Sequence, residues 1–283
     1  MYVAPLTFAR RELEIDKAEY AIIGIPYDSS QSFRVGSRLA PNAIREASRE
    51  IEDYDFEDKK DLMRLRICDL GNVDVSYGNF KETCSRVNDT LKDVLSKNVI
   101  PVSLGGEHTI SYSVIRCLPK DIFYLVLDAH LDFRNEYLGE KFSHACVNRR
   151  IFGHLKEDNV LVVGVRSASK EELHDANKER LDFISYLDFE KDKESVYKRI
   201  SDKIEGRNVY LSLDMDALDP KEAPGVCNPE PSGFGFRDVV HLSRLVRNSK
   251  LIGADITEIT PLYDNYTPVL ASKIIFKILQ SNH

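Results

Sequence analysis

Short apolar runs alternate with longer amphipathic stretches along the chain, and this alternation is the first indication of the fold. The apolar runs have the length of buried strands; they cover residues 20–25, 99–104, 121–128, 159–165, 208–214 and 250–256. The stretches between them show helical spacing, at residues 40–54, 80–98, 169–181, 194–206 and 236–249. The alternation predicts an α/β fold in which helices cover both faces of a mostly parallel sheet.

The chain contains no internal repeat, low-complexity tract or Pro/Ser-rich linker that would mark a boundary between independent units. We therefore predict one domain that spans residues 1–283. A Pro- and Gly-rich segment, residues 219–235, has the character of a long irregular connection. Because connections of that length in compact domains are often functional, we expect it to border the functional site.

Composition excludes several classes of function. The net charge of −7 and the absence of a Lys/Arg block argue against nucleic-acid binding, which requires a basic face. No apolar run approaches the roughly 18 residues of a membrane-spanning helix, and the amino terminus lacks a signal-peptide core. The five cysteines form no CxxC pair and no disulfide framework. We expect a cytoplasmic protein with neither a nucleic-acid nor a membrane partner.

Potential metal ligands follow three of the predicted strands. One strand leads into three ligands spaced two residues apart, which project to one side of an extended chain. A second strand leads into two carboxylates, and a histidine follows a third strand through two glycines that would permit a tight turn. The carboxyl edge of an α/β sheet is where ligands bind. The predicted ligand set is His108, Asp128, His130, Asp132, Asp214 and Asp216.

Four aspartates this close together require a counter-charge, because buried carboxylates without one are costly. Two divalent cations would balance them, and an oxygen-rich set with two imidazoles and no thiolate favours Mn²⁺, with other divalent ions possible. Two metals roughly 3.5–4 Å apart lower the pKa of a shared water and supply hydroxide near neutral pH. No G-x-S-x-G, Walker-A or G-x-G-x-x-G motif follows a strand. The sequence thus predicts a hydrolase with two Mn²⁺ per chain.

At these residues the sequence resembles the ureohydrolase (arginase/agmatinase) superfamily, and within it the agmatinases. The resemblance covers nearly the whole chain in the family's order; its segments are residues 24–30, 34–48, 69–73, 105–108, 128–132, 142–151, 212–220, 223–224 with 228–231, and 255–264. It implies a three-layer αβα, arginase-like fold. It also implies that a metal-bridging hydroxide cleaves the guanidino group of agmatine to putrescine and urea, a reaction of polyamine biosynthesis.

The resemblance also assigns roles to individual residues. Asp128 and Asp214 would bridge the two metals. His144 would transfer a proton to the departing amine. Glu258 would receive the guanidinium of a small cationic guanidino substrate through paired hydrogen bonds. Relatives of this type assemble from trimeric units, so we expect a homo-oligomer, either a trimer or a hexamer.

Several alternatives remain open. Cys227 and Asn228 stand where many relatives carry a Gly-Thr-Gly-like run. This departure leaves arginine, aminopropylagmatine and guanidinobutyrate open as substrates, the first of which would make the protein an arginase. Because a fold does not guarantee activity, a non-catalytic metal-binding homologue is a further hypothesis. A single-zinc deacetylase on a related scaffold conflicts with the six-ligand set.

Overall fold

A parallel sheet of eight strands runs through the computed structural model, which describes residues 5–155 and 157–282. The strands, numbered in chain order, are β1 (Tyr20–Ile25), β2 (Tyr54–Asp55), β3 (Lys60–Asp61), β4 (Ile67–Asn72), β5 (Ile100–Gly105), β6 (Phe123–Leu127), β7 (Val160–Val165), β8 (Asp182–Ser185), β9 (Asn208–Asp214) and β10 (Lys250–Thr257). The sheet has the order β4-β1-β5-β10-β9-β6-β7-β8, and β2 and β3 form a separate antiparallel hairpin. The predicted α/β fold with a mostly parallel sheet is confirmed.

Helices cover both faces of the sheet. They are α1 (Ala40–Ser48), α2 (Phe80–Ser96), α3 (Thr109–Ile115), α4 (Val147–His154), α5 (Lys170–Glu179), α6 (Tyr186–Lys191), α7 (Lys193–Ile204), α8 (Phe236–Leu245) and α9 (Thr267–Ser281). One hydrophobic core packs α1 and α6–α9 against one face of the sheet. A second core packs α2–α5 against the other face. The result is a three-layer αβα arrangement.

Local sequence explains why the elements form where they do. Strands β1 and β7 are buried along their whole length, as expected for parallel strands covered on both faces. Helix α2 starts after Asn79, whose side-chain oxygen accepts a hydrogen bond from the backbone of Glu82 at 3.1 Å. Helix α5 starts with a capping box in which Ser169 and Glu172 exchange backbone and side-chain hydrogen bonds.

The degree of burial explains why the sequence pattern missed three of the elements. Strands β4 and β8 lie at the two edges of the sheet, and their burial is only partial, so neither shows an uninterrupted apolar run. Helix α9 packs against α1 and α8 and is buried along nearly its whole length, so an amphipathic period is weak there. The predicted helix at residues 40–54 is too long: α1 ends at Ser48, and the chain then enters the β2–β3 hairpin.

Three other predictions concern the long connection, the membrane and the number of domains. Residues 219–235 contain neither a helix nor a strand, which confirms the predicted irregular connection. Among the helices within residues 5–155 and 157–282, none is long and apolar enough to cross a membrane. The single domain over residues 1–283 stays a prediction.

A buried ion cluster attaches the β2–β3 hairpin to the helices. The Lys277 ammonium on α9 lies 2.7 Å from Asp55 Oδ2 and 2.9 Å from both Glu57 Oε2 and Asp58 Oδ2. Arg244 on α8 adds a 2.8 Å contact with Asp58 Oδ1. The Lys277 side chain is only 7% exposed, so its charge depends on these partners.

We expect Lys277→Met to destabilise the fold because it removes the cation that contacts all three hairpin carboxylates, those of Asp55, Glu57 and Asp58. Removing one partner of a fully buried ion pair costs about 3–5 kcal/mol. Since Arg244 remains and Glu57 is half exposed, the expected loss is about 2 kcal/mol. Urea unfolding measures it. The control Lys92→Met removes the exposed Lys92–Asp89 pair and should leave the urea midpoint unchanged; equal shifts in both variants would contradict the prediction.

The same cluster predicts a pH dependence. The hydrogen bond from Lys277 is the main cause that lowers the pKa of Glu57. Burial alone would raise the pKa of Asp58, but hydrogen bonds from Lys277 and Arg244 outweigh it and lower that pKa. A lowered folded-state pKa contributes stability above the unfolded carboxyl pKa of roughly 4, and this stability is lost as the pH falls further. Between pH 7 and 3, metal-free wild type should therefore lose stability more steeply than Lys277→Met, as measured by urea midpoints; parallel profiles would contradict this.

Candidate metal centre

Four consecutive strands of the sheet end together at its carboxyl edge, and their ends carry the predicted ligands. The strands lie in the order β5, β10, β9 and β6. Asp214 is the last residue of β9, and Asp216 lies in the 3₁₀ turn that follows. The side chains that come from the four ends are those of His108, Glu258, Asp214, Asp216, Asp128, His130 and Asp132. This is the edge at which open α/β sheets bind ligands.

Two glycines bring His108 close to the neighbouring strands. A Cβ on Gly106 would lie 2.0 Å from the carbonyl oxygen of Tyr27, and one on Gly105 would lie 2.7 Å from Thr257 Cγ2. Neither glycine has a positive φ. The glycines therefore serve close packing of the backbone and not a left-handed turn, and they place His108 at the amino-terminal cap of α3.

The six predicted ligands form two adjoining clusters. In the first cluster, His108 Nδ1 lies 3.2 Å from Asp128 Oδ2 and 3.2 Å from Asp214 Oδ2, with Asp132 Oδ2 at 3.4 Å. In the second cluster, His130 Nδ1 lies 3.0 Å from Asp216 Oδ2 and 3.8 Å from Asp128 Oδ1. Asp128 belongs to both clusters, and each offers ligand atoms close enough to share one ion. The tertiary structure thus brings all six side chains together.

The chemistry of these clusters fits bound cations. His108 Nδ1 and Asp128 Oδ2 are buried, and within the part of the chain that the structure describes neither has a hydrogen-bond partner. Burial, assisted by the charge of Asp132, raises the pKa of Asp128 to about 7. Burial and the charges of Asp216 and Asp128 raise the pKa of Asp214 well above its usual value. Cations would satisfy the unpaired atoms and keep the carboxylates ionised.

Two site residues have a left-handed backbone conformation: Asp132 has φ 48° and Glu258 has φ 64°. Such conformations cost on the order of 1–3 kcal/mol at residues other than glycine, so the surroundings must enforce them. The residue after Asp132, Phe133, donates its N–H to Glu172 at 2.7 Å. The Glu258 N–H donates to the carbonyl of Gly106 at 2.9 Å. The period-two spacing of an extended strand therefore does not extend to Asp132.

Glu258 lies beside the first cluster with its carboxylate held by neighbours. Its Oε1 accepts the backbone N–H of His108 at 2.6 Å, and its Oε2 accepts Gln31 Nε2 at 3.3 Å. Burial raises the pKa of the Glu258 carboxyl. Cys227 also adjoins this carboxylate, and burial raises the pKa of its thiol well above the usual value. Gln31 was not identified from the sequence, because it follows no strand end of the ligand pattern.

His144 begins a 3₁₀ turn next to α4 and faces the same cavity. Its Nδ1 lies 3.2 Å from Ser30 Oγ, and its Nε2 lies 3.4 Å from Ser32 Oγ. Burial lowers the pKa of the His144 imidazole. Glu107 accepts hydrogen bonds from the Ser30 backbone N–H at 2.6 Å and from the Ser30 hydroxyl at 2.8 Å, and so supports this arrangement.

The cavity above the two clusters has a volume of about 270 Å³. The buried part of its lining, called here the floor, contains ligands of both clusters together with Glu258, and His144 also lines the cavity. Among its more exposed lining residues are Phe33, Arg134 and Tyr137, and we call this part of the lining the mouth. Cys227 and Asn228 contribute to the wall, which confirms that the connection of residues 219–235 borders the site.

A hydrogen-bonded chain supports the outer side of His108. Its Nε2 lies 3.2 Å from Ser212 Oγ, and Ser212 donates to Asp255 Oδ1 at 2.6 Å. Tyr210 donates to the other oxygen of Asp255 at 2.7 Å. Asp255 is completely buried within β10. The sequence offered one signal for this support: Ser212 precedes Asp214 by two positions in β9, so the two side chains lie on the same side of the strand.

Arg166, at the end of β7, fixes the segment that carries the second cluster. Its guanidinium donates to the carbonyl oxygens of Asp216 at 2.8 Å, Glu230 at 3.0 Å and Pro231 at 3.1 Å. All of its hydrogen-bond acceptors are backbone carbonyls. Nothing in the local sequence distinguishes Arg166 from a surface arginine, because its partners lie at least 50 positions away apart from Gly164.

Comparisons with known proteins agree with the geometry of the site. The family model described as "Arginase family" matches residues 18–280. An agmatinase of Pyrococcus horikoshii is 35% identical over 272 residues, which are 94% of this chain and 93% of that protein. The N(1)-aminopropylagmatine ureohydrolase of Thermococcus kodakarensis is 34% identical over 271 residues, 93% of this chain and 91% of that protein. The solved structure of an agmatine ureohydrolase of Thermoplasma volcanium has a TM-score of 0.92 at 35% identity, covering 99% of this chain and 95% of that chain.

Because Asp128 belongs to both clusters and Asp216 to one, their substitution should have different effects on metal binding. We expect Asp216→Asn to weaken one of two bound equivalents of a divalent cation at least tenfold. Asp128→Asn should weaken both by at least that factor. Calorimetric titration of chelator-treated protein measures the two equivalents.

The matched control is Asp175→Asn. It removes the ion pair between Asp175 on α5 and Arg149 on α4, which lies outside both clusters. It should bind both equivalents as wild type does. Identical titrations for Asp128→Asn and Asp216→Asn would show that the shared carboxylate has no special role.

Proposed function

Because this chain belongs to the arginase family, we propose that it is an agmatinase-type ureohydrolase, which hydrolyses the guanidino group of agmatine to putrescine and urea. The observation that carries the proposal is the pair of ligand clusters that share Asp128 beneath a cavity lined by Glu258 and His144. The similarity to the agmatinase of Pyrococcus horikoshii supports agmatine as the substrate. A small cationic guanidino compound also suits an anionic cavity floor.

The proposed cofactor is a pair of Mn²⁺ ions. His108, Asp128, Asp132 and Asp214 would hold one ion, and Asp128, His130, Asp214 and Asp216 the other. The oxygen-rich donor set without a thiolate supports manganese over a structural zinc. When bound, the two ions would lower the pKa of water and so supply the attacking nucleophile at neutral pH.

Glu258 would bind and orient the guanidinium. The His108 N–H and Gln31 hold its carboxylate in position, and a carboxylate has lone pairs left for a planar donor pair. Without substrate, burial disfavours the charged form of Glu258. A guanidinium within hydrogen-bonding distance would reverse that preference, so the site favours a cationic substrate over a neutral one.

His144 would carry the proton to the departing amine. Because burial lowers its pKa, the ring is neutral near pH 7 and can accept a proton before passing it on. The hydroxyls of Ser30 and Ser32 adjoin its two nitrogens and orient the ring toward the cavity.

A longer substrate, aminopropylagmatine, is the second candidate. A ureohydrolase of Thermococcus kodakarensis named for that compound is almost as similar to this chain as the Pyrococcus horikoshii agmatinase. At the cavity mouth, Phe33 is 66% exposed, so a longer amine tail could extend past it.

Homo-oligomer formation, as a trimer or hexamer, is part of the proposal. Phe33, Val35, Leu262 and Tyr263 are exposed, and the Arg34 guanidinium lies over the Tyr263 ring, 4.9 Å from its centroid. An exposed apolar patch of this kind is typical of an interface. Light scattering should therefore give a mass of at least three chains, and a monomer would contradict this part of the proposal.

The decisive assay is urea release by Mn²⁺-loaded protein from agmatine, aminopropylagmatine, guanidinobutyrate and arginine. We expect urea from agmatine and none above background from arginine or from metal-free protein. Urea chiefly from aminopropylagmatine or guanidinobutyrate would identify that compound as the substrate in place of agmatine. Urea from arginine would indicate an arginase. Absence of urea from all four compounds would favour the hypothesis of a non-catalytic metal-binding homologue.

Glu258→Gln tests the guanidinium site separately. It keeps the shape of the side chain but removes its charge, so kcat/KM for agmatine should fall at least 100-fold, about 2.7 kcal/mol of transition-state stabilisation. The control Glu171→Gln changes an exposed carboxylate on α5 and should leave kcat/KM unchanged. Activity of Glu258→Gln near the wild-type level would exclude the assigned role.

A further inference from the structure

The ring of His130 is held between the second cluster and the irregular connection. On the inner side, its Nδ1 faces Asp216 Oδ2 at 3.0 Å. On the outer side, its Nε2 lies 3.1 Å from the side-chain amide of Asn228 and 3.6 Å from Glu230 Oε1. One ring nitrogen of His130, Nδ1, therefore faces the second cluster, and the other, Nε2, faces the irregular connection.

This geometry determines where the ring proton must be. A histidine that ligates a cation through Nδ1 has no proton on that atom, so the neutral ring carries its proton on Nε2. The Nε2–H needs an acceptor, and the Asn228 amide is the nearest group. The atom placed 3.1 Å from Nε2 is the amide nitrogen Nδ2 of Asn228. Because an NH₂ facing an N–H would be repulsive, ligation through Nδ1 requires the amide to be turned by 180° so that its oxygen faces His130; the oxygen and nitrogen of an amide are assigned from such partners.

We propose that Asn228 is a positioning residue for the second cluster: its amide oxygen accepts the His130 Nε2–H and so fixes the tautomer and orientation of the ligand. Partners of this kind typically change metal affinity 10–100-fold when they are removed. Glu230, at 3.6 Å, is beyond hydrogen-bonding distance and adds only its charge. The inference rests on the proposed function only in that His130 serves as a metal ligand.

The segment around Asn228 is fixed on both sides, so its amide has little freedom to move. Before it, the Cys227 N–H donates to the Glu258 carbonyl at 2.9 Å, and the Cys227 carbonyl accepts from the Arg34 N–H at 3.2 Å. After it, the carbonyls of Glu230 and Pro231 accept from the Arg166 guanidinium. A side chain held in this way can orient its neighbour without a large entropic cost.

The two ligand histidines are supported unequally. Behind His108, Ser212 is backed by the buried carboxylate of Asp255, and the His108 side chain is fully buried. Behind His130 stands a neutral amide, and the His130 side chain is 16% exposed. His108 Nε2 lies 3.2 Å from the Ser212 hydroxyl and 3.3 Å from the Tyr124 hydroxyl. Among the described residues, His130 Nε2 has only the Asn228 amide within hydrogen-bonding distance. The second cluster therefore depends on a single contact and should lose its ion first.

The experiment titrates chelator-treated protein with Mn²⁺ in the absence of any substrate, comparing wild type, Asn228→Leu, Asn228→Asp and Glu230→Ala. We expect Asn228→Leu, which keeps the shape but removes the acceptor, to weaken the second equivalent at least tenfold and leave the first within threefold. Asn228→Asp restores an acceptor and should bind the second equivalent at least as tightly as wild type. Glu230→Ala should stay within threefold of wild type.

A spectroscopic readout is added with nitrogen-15-labelled histidine in protein loaded with diamagnetic Zn²⁺. The Nε2–H proton of His130 should be protected and visible at neutral pH in wild type and Asn228→Asp, and lost to exchange in Asn228→Leu. Thermal unfolding of the metal-free variants checks that all of them fold.

Three outcomes would overturn the proposal: an unchanged second equivalent in Asn228→Leu, equal weakening in Asn228→Leu and Asn228→Asp, or weakening confined to Glu230→Ala. The readouts contain no urea step. Absence of urea from every guanidino substrate with the predicted titrations would therefore refute the proposed function and leave this inference intact.

Discussion

Mutual repulsion among four buried aspartates is the constraint on which the rest of this structure depends. Asp128, Asp132, Asp214 and Asp216 converge at the carboxyl edge of the sheet, almost without access to solvent. The ring of His108 lies 3.2 Å from Asp128 Oδ2, and the ring of His130 lies 3.0 Å from Asp216 Oδ2. A dry, crowded set of anions is unfavourable unless cations neutralise it. The site is therefore arranged as a receptor for positive charge, and both the ligand clusters and the cavity above them follow from that arrangement.

Such a site must be held rigidly by residues that do not belong to it. Ser212 and Asp255 fix His108 from within the sheet, where both are buried in neighbouring strands. Arg166 fixes the turn of Asp216 and the connection beyond it through backbone carbonyls alone. These supports come from the strands and from one long loop, so the precision of the centre depends on the packing of the whole sheet.

The residues proposed for the reaction and those that border the substrate come from different parts of the fold. The ligands and Glu258 come from strand ends, which the two hydrophobic cores hold in place. The cavity wall and mouth come from connections, through residues such as Phe33, Arg134, Tyr137 and Cys227. Connections tolerate change more readily than strand ends do. This explains how the arginase family can share one scaffold among relatives whose names indicate different guanidino substrates.

The sequence by itself determined the parallel α/β architecture and predicted which side chains meet at the sheet edge, because both depend on short-range pattern: apolar runs mark buried strands, and polar residues directly after them mark the sheet edge. It did not indicate the edge strands β4 and β8 or the helix α9, whose patterns reflect how their neighbours cover them. Nor could it assign Asn228 to His130, 98 positions away, or Arg166 to Glu230, 64 positions away. Only the tertiary structure decided these contacts, because a hydrogen bond between distant residues depends on how the chain between them folds.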